Sequence, residues 1–340
     1  MSAPLELDPA SPLLFIINAA SGSSDADTKR ELIEATLQAA GRKGKLLFSP
    51  PDGLARLAQE AASKAIASRT AVVAVGGDGT INTVAQAAHA AGCAMGVVPQ
   101  GTFNYFARTH GIPDDPVEAV RLLFHGAPAP VRVAAINDRV FLVNASLGLY
   151  PALLEDREAY KARFGRSRWV AFWAASATLL RAQRQLRLQI EDGTGKRSVR
   201  TLTLFVGNNH LQLKQLGLGQ PTLAESAQIH GPEENRITAV ILRPIGTMSM
   251  IRLMLHGAMG TLGEAQSVEH FKFEHMVVRP TLPSGRRGVK VAFDGEVTRM
   301  HAPLEFRVLA KPLYLIKPRH QDDMAPSPND PAAATEGPAA

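Results

Sequence analysis

The stretch Gly76-Gly77-Asp78-Gly79-Thr80 interrupts an apolar run, AVVAV, and gives way to INTVAQAA, where apolar residues recur at helical spacing. Glycines at 76, 77 and 79 leave no Cβ in the way, so a phosphate can approach the backbone N–H groups at the start of the following helix. Asp78 does not fit that task alone, because its charge repels phosphate. A carboxylate in such a loop suits a metal ion, usually Mg2+, or a hydroxyl that must lose its proton. The plainer reading is that Asp78 or Thr80 caps the helix and the glycines only turn the chain. A second small-residue loop, PQGTFN (99–104), follows the next apolar run, and the two together favour a nucleotide site. Far downstream, Asp294-Gly295-Glu296 reads by itself as a surface hairpin turn between two strands.

These residues need elements to bring them together. Three β-rich runs end in small-residue turns, at 13–22, 71–80 and 94–102, with helical patterns at Lys29–Ala40, Leu54–Ser68, Ile81–Ala91 and from Asn104 onward. Strand, turn and helix in alternation predict a parallel sheet with crossovers. The turns after successive strands then gather at the carboxyl rim, so Asn18–Gly22, Gly76–Thr80 and Pro99–Asn104 face one crevice. From residue 131 the pattern changes to hairpin-linked strands: 131–148, 186–209, 236–244, 289–300 and 304–316. The expected fold is therefore α/β plus all-β: a parallel-sheet α/β domain at 13–130 and a second, antiparallel β-domain at 131–319. Residues 1–12 form an extension, the boundary falls near Pro128–Pro130, and the last strand is a candidate to return to the first domain. Helical insertions are expected near 152–185 and 245–262, and a disordered acidic, Pro- and Ala-rich tail at 320–340.

Composition narrows the function classes. The formal charge is +6, and the last 21 residues hold four acids and no Lys or Arg, so residues 1–319 carry +10. A basic body suits phosphate ligands, anionic membrane surfaces or nucleic acid. Cys93, the single cysteine, excludes an internal disulfide and a multi-cysteine metal site. The N-terminal MSAPLELDPASP lacks the basic and apolar regions of a signal peptide. The longest lipid-like run, Val170–Leu180, is too short to span a bilayer, so any membrane contact is expected to be peripheral, on the inner face, with the protein itself cytoplasmic.

Taken in order, NAASGSS (18–24), GGDGTINTV (76–84), PQGTFNYFAR (99–108), VNASLGLYP (143–151), VGNN (206–209) and FDGEV (293–297) resemble the diacylglycerol kinase catalytic-domain family, which includes bacterial lipid kinases and sphingosine kinases. The resemblance covers about residues 13–318. It implies a Rossmann-like α/β nucleotide-binding domain at 13–130 and an antiparallel β-sandwich at 131–319 that holds the lipid. It implies a lipid kinase that uses ATP and Mg2+ on a lipid hydroxyl at a membrane surface, with ATP between the two domains and no nucleic-acid partner. It implies nucleotide contacts at Asn18, Ser49, Gly76, Gly77, Asp78, Gly79, Thr80, Ile81, Asn82, Thr83, Gly101, Thr102 and Asn104. Asp78 is the implied metal ligand and, with Glu296, a catalytic residue; Glu296 is the implied general base. Two rival readings stay open, a kinase of a soluble nucleotide like the NAD kinases and a lipid- or nucleotide-binding protein with little turnover.

The chain departs from the family pattern in several places. Asn104-Tyr105-Phe106-Ala107 stands where Asn-Asp-Phe-Ala is common, and Thr83 where Glu is frequent. Glu234-Asn235 replaces an Asp-Gly pair associated with a structural metal, so no residues are assigned to that metal. Residues 157–187 hold eight Lys or Arg and one acid around Trp169, Phe172 and Trp173, a pattern that suits either an interfacial helix or a solvated basic face. Met248, Met250, Met254 and Met259 form an apolar stripe for ordinary core packing or an acyl-chain groove.

Overall fold

Apolar runs such as LLFII, AVVAV and AMGVV suit parallel strands covered on both faces. In the computed structural model, which describes residues 5–18, 26–50, 52–148, 185–208, 236–244, 268–281 and 288–319, they become β1 (Leu13–Asn18), β3 (Ala71–Gly76) and β4 (Ala94–Pro99). β3 and β4 are buried along their whole length. β2 (Gly44–Ser49) pairs parallel to β1 and is only partly covered, because it is the sheet's edge. That half-exposed GKLLFS segment lacked the long apolar run by which its neighbours were read.

The sheet order is β2-β1-β3-β4-β18-β5. β18 (Leu313–Lys317) lies parallel to β4, and β5 (Ala127–Val131) runs antiparallel to β18 at the far edge. Pro128 and Pro130 are tolerated on β5 because an edge strand has one set of N–H groups with no partner strand. Helix α2 (Leu54–Ala67) packs on α3 (Asp78–Ala91), while α1 (Ala26–Ala39) packs on α5 (Pro116–His125), which Asp115 caps by accepting from the Glu118 N–H. A short α4 (Tyr105–Thr109) follows the PQGTFN loop. The buried face of α2 is Ala58, Ala61, Ala62 and Ala65, side chains small enough for close approach to the sheet and α3.

Two six-stranded antiparallel sheets complete the described structure. One runs β10 (Gly195–Thr201), β9 (Leu186–Asp192), β14 (His275–Pro280), β17 (Leu304–Val308), β6 (Ala134–Ile136), β7 (Arg139–Phe141). The other runs β13 (Val268–Phe273), β12 (Ile237–Leu242), β11 (Thr203–Gly207), β8 (Asn144–Gly148), β15 (Val289–Phe293), β16 (Glu296–Met300). Alternate residues turn inward, as Met276 and Val278 do on β14 and Leu304 and Phe306 on β17, and one core joins these to Leu147, Leu204, Ile241 and Val291 of the facing sheet. Two sheets sharing one apolar interior make a β-sandwich. β13 and β14 were not anticipated, since VEHFKF and HMVVRP place charged residues on their open faces and leave only short apolar alternation. The expected helical insertions, the methionine stripe, most of the basic aromatic stretch and the tail lie outside the described residues.

Candidate active site

Strand β3 delivers Gly76 to the rim, Gly77 is extended, and Asp78 opens α3. The neighbouring loop after β4 is tied to it, because the Gln100 N–H donates to the Gly76 carbonyl at 2.9 Å. The two loops meet at their glycines: a methyl placed on Gly101 would come within 3.3 Å of Gly77 Cα and 2.7 Å of Asn104 Oδ1. Asn104 holds the second loop in shape. Its backbone is left-handed at φ 48°, its Oδ1 accepts from the Gly101 N–H at 2.9 Å, and its Nδ2 donates to Asp114 Oδ1 at 3.2 Å. Its own N–H donates to the Asp78 carboxylate. The tight turns that the sequence suggested are thus one hydrogen-bonded assembly.

Asn18, at the end of β1, donates from Nδ2 to Thr80 Oγ1 at 3.4 Å. Ser49 ends β2 in register beside Asn18, buried, with its hydroxyl donating to the Pro50 carbonyl at 2.7 Å. Ile81, an implied nucleotide contact, is wholly buried and its N–H donates to the Gly77 carbonyl at 3.0 Å, so it presents no group to a ligand. Thr83 donates from Oγ1 to the Gly79 carbonyl one turn back. Thr102 is exposed on the second loop. Asn82 is buried, and its Nδ2 donates to the Val140 carbonyl at 2.9 Å and to Asp294 Oδ2 at 2.6 Å. Its side-chain donors therefore point to the sandwich.

The sandwich contributes the hairpin β15–β16. Asp294 and Gly295 both have positive φ, 45° and 88°, and join Phe293 to its partner Glu296 as a two-residue turn whose twist matches the strands. The surface-hairpin reading is right about the turn and incomplete about its place. Glu296 reaches back to α3: a methyl on Gly79 would lie 2.7 Å from Glu296 Oε1. Residues separated by more than two hundred positions share one spot at the N-terminus of α3.

Burial sets the local charge states. Desolvation raises the Asp78 carboxyl above its ordinary range, opposed by the Asn104 N–H. It raises that of Glu296 as well, opposed by the nearby Arg139 guanidinium. Asp78 Oδ1 is buried and has no hydrogen-bond partner among the described residues. An orphaned carboxylate oxygen at the start of α3, within the glycine loop, fits a divalent cation that takes one protein carboxylate and completes its shell with substrate oxygens and water. Among the described residues no cluster of three His, Cys, Asp or Glu groups forms a self-sufficient metal cage.

A cavity of about 520 Å³ opens beside the same loop. It is lined by Lys29 of α1, Gln100, Thr102, Phe103, Arg108 and Asp114, among others, and by nothing from α3 or the β15–β16 hairpin. The chemistry-bearing carboxylates and this cavity therefore share only the PQGTFN loop. Lys29 is 2% exposed and was not singled out from the sequence. The signal was its spacing, four residues before Ile33 and eight before Leu37 on the apolar stripe of α1. Phe103, 44% exposed, stacks on Tyr105 with ring centroids 5.6 Å apart, so the position that often holds a carboxylate here carries an aromatic ring.

A parallel sheet with glycine loops at its rim, joined to a β-sandwich that inserts a carboxylate, defines a two-domain α/β and all-β architecture. Residues 12–136 match the family model of the diacylglycerol kinase catalytic domain. A "Probable lipid kinase YegS-like" protein of Serratia proteamaculans (strain 568) is 29% identical over 220 residues, 63% of this chain and 68% of that protein. Its namesake in Klebsiella pneumoniae (strain 342) is 40% identical over 98 residues, 28% of this chain and 33% of that protein. The stronger identity thus spans about a third of the relative's length. A solved diacylglycerol kinase structure from Bacillus anthracis str. Sterne superposes with a TM-score of 0.61, covering 90% of this chain and 96% of that one at 18% identity, and shares the fold.

Proposed function

We propose that this protein is an ATP-dependent kinase that transfers the γ-phosphate to a hydroxyl of a membrane lipid, acting from the cytoplasmic face. The observation that supports it most is the approach of Glu296 to Gly79, which puts a carboxylate from the sandwich at the mouth of a glycine loop suited to phosphate. The curated relatives' printed name, lipid kinase, points the same way. No helix among the described residues is long and apolar enough to cross a membrane, so the lipid would be met at a surface.

In this reading the Gly76–Thr80 loop and the first N–H groups of α3 bind the phosphates, and Asn104 holds the second loop against them. Glu296 takes the proton of the lipid hydroxyl while that oxygen bonds to the γ-phosphorus. The bond from the γ-phosphorus to the bridging oxygen breaks, and its electron pair leaves on the diphosphate. Asp78 would hold Mg2+, which when bound supplies positive charge against the phosphate oxygens. Glu296→Gln is expected to keep the fold and nucleotide binding and to lose about 10²- to 10⁴-fold in turnover, the usual worth of a placed base.

The deciding experiment incubates the protein with labelled ATP and Mg2+ in separate reactions with vesicles of diacylglycerol, phosphatidylglycerol or sphingoid base, and with NAD. Label in one of the lipids is the expected result. Label in NAD and in no lipid overturns the proposal for a soluble-substrate kinase. Label in neither, with tight ATP binding, overturns it for a binding protein, the reading that the Phe103–Tyr105 stack in place of a carboxylate favours.

A further inference from the structure

The carboxylate of Asp294 lies under the hairpin that presents Glu296 and is 6% exposed. It accepts four hydrogen bonds: from the N–H groups of Leu142 at 2.7 Å, Val143 at 2.9 Å and Asn144 at 3.0 Å, and from Asn82 Nδ2 at 2.6 Å. A two-residue turn asks for none of this. Asp-Gly turns form with the aspartate in water, whereas a buried carboxylate is costly unless its lone pairs are filled. The donors come from two units, α3 on the parallel-sheet side and the β7–β8 connection on the sandwich side. Asn82 also donates to the Val140 carbonyl, which ties α3 to the sandwich a second time.

The covalent paths from this node to the site are short. Gly79 is three residues, less than one turn, before Asn82 on α3, and Glu296 is two residues after Asp294 on the hairpin. The first path is helical backbone and the second is the tight Asp-Gly turn, both too short to leave much slack between Glu296 and Gly79.

We propose that the buried Asn82–Asp294 hydrogen bond is a positioning device that fixes the register of the sandwich on α3 and thereby holds the Glu296 carboxylate over Gly79. It rests on the assignment of Glu296 as the base, and neither residue touches the reacting atoms.

The test uses the full chain with Mg2+, ATP and whichever acceptor vesicle the wild type labels, comparing wild type, Asn82→Ala, Glu296→Gln and the double variant. Asn82→Ala is chosen because it leaves the three backbone donors on Asp294 and so spares the turn. Circular dichroism and a thermal melt verify that it folds. The expected result is a kcat lowered about 10- to 100-fold, as for small misplacements of a catalytic group, with the KM for ATP within about two-fold of wild type. Because Asn82 acts through Glu296, its removal from the Glu296→Gln background is expected to cost little more.

Additive losses in the double variant overturn the proposal, as does an unchanged kcat. A raised KM for ATP with kcat retained also overturns it and returns Asn82 to direct nucleotide contact. Transfer to no acceptor by the wild type is a different failure, that of the kinase reading itself.

Discussion

Gly79 and Glu296 compete for one volume, and the competition separates stability from chemistry. Alanine at 79 meets only the far end of a flexible glutamate, and in a helix it is favoured over glycine by about 0.5–1 kcal/mol. We expect Gly79→Ala to match or exceed wild-type stability in urea while kcat drops about 10²-fold, the scale of an ångström misplacement. A variant with full activity would show that Glu296 does not work from this position. Because Glu296 is raised by burial and must be ionised to act, kcat is expected to fall with decreasing pH above the range of a free glutamate, about 4.3. Asp294 gives a stability signature instead. Burial pushes it to about 6 despite its four donors. The folded state therefore holds this proton more tightly than the unfolded chain, and the contribution of Asp294 is full below about pH 4 and lost as pH rises through about 6. That loss is at most about 3 kcal/mol. Urea unfolding of Asp294→Asn between pH 4 and 7 should lack the decline; the same slope in both proteins would assign it elsewhere.

The elements that present the site are held by close contacts that the sequence conceals. On β4, Gly96 faces α5 so tightly that a methyl there would lie 2.4 Å from Leu123 Cδ2 and 3.3 Å from Val73 Cγ2. Gly96→Ala is expected to destabilise by about 1–3 kcal/mol through overpacking, read as a lower urea midpoint with an unchanged slope. An effect within a few tenths would mean that α5 floats on the sheet. The loop from β4 to α4 inherits this rigidity, because Asn104 joins Gly101, Asp78 and Asp114 in one network. The strands that were legible were those with continuous apolar runs or clean alternation. β2, β13 and β14 were missed because edge strands and charged open faces dilute both signals.

The chain as a whole leaves the parallel sheet by β5, builds the sandwich and comes back as β18 between β4 and β5. Leu313, Leu315 and Ile316 of β18 belong to the first core, although the sandwich strand β17 directly precedes them. Leu315 is wholly buried, so Leu315→Ala is expected to cost about 2–5 kcal/mol. Since β18 closes the first sheet and continues the second unit, near-UV and far-UV unfolding curves of that variant should still coincide. Separate transitions would show that the return strand does not couple the two units.

The sequence by itself determined the fold class and the pieces of the candidate site, because both rest on local patterns. Buried parallel strands must be apolar, a close phosphate approach needs glycine, and Asp-Gly needs only its own two residues to turn a hairpin. The tertiary structure decided where those pieces stand. Glu296 lies over Gly79, Asn82 turns its amide to Asp294, and Lys29 is sealed in the wall of a cavity. Each depends on residues brought together from different elements, and no periodicity of three or four residues encodes a neighbour from another element. Burial, which raises Asp78, Asp294 and Glu296, is likewise a property of everything packed around a carboxylate, so the charge that governs the site exists only once the two units have closed on each other.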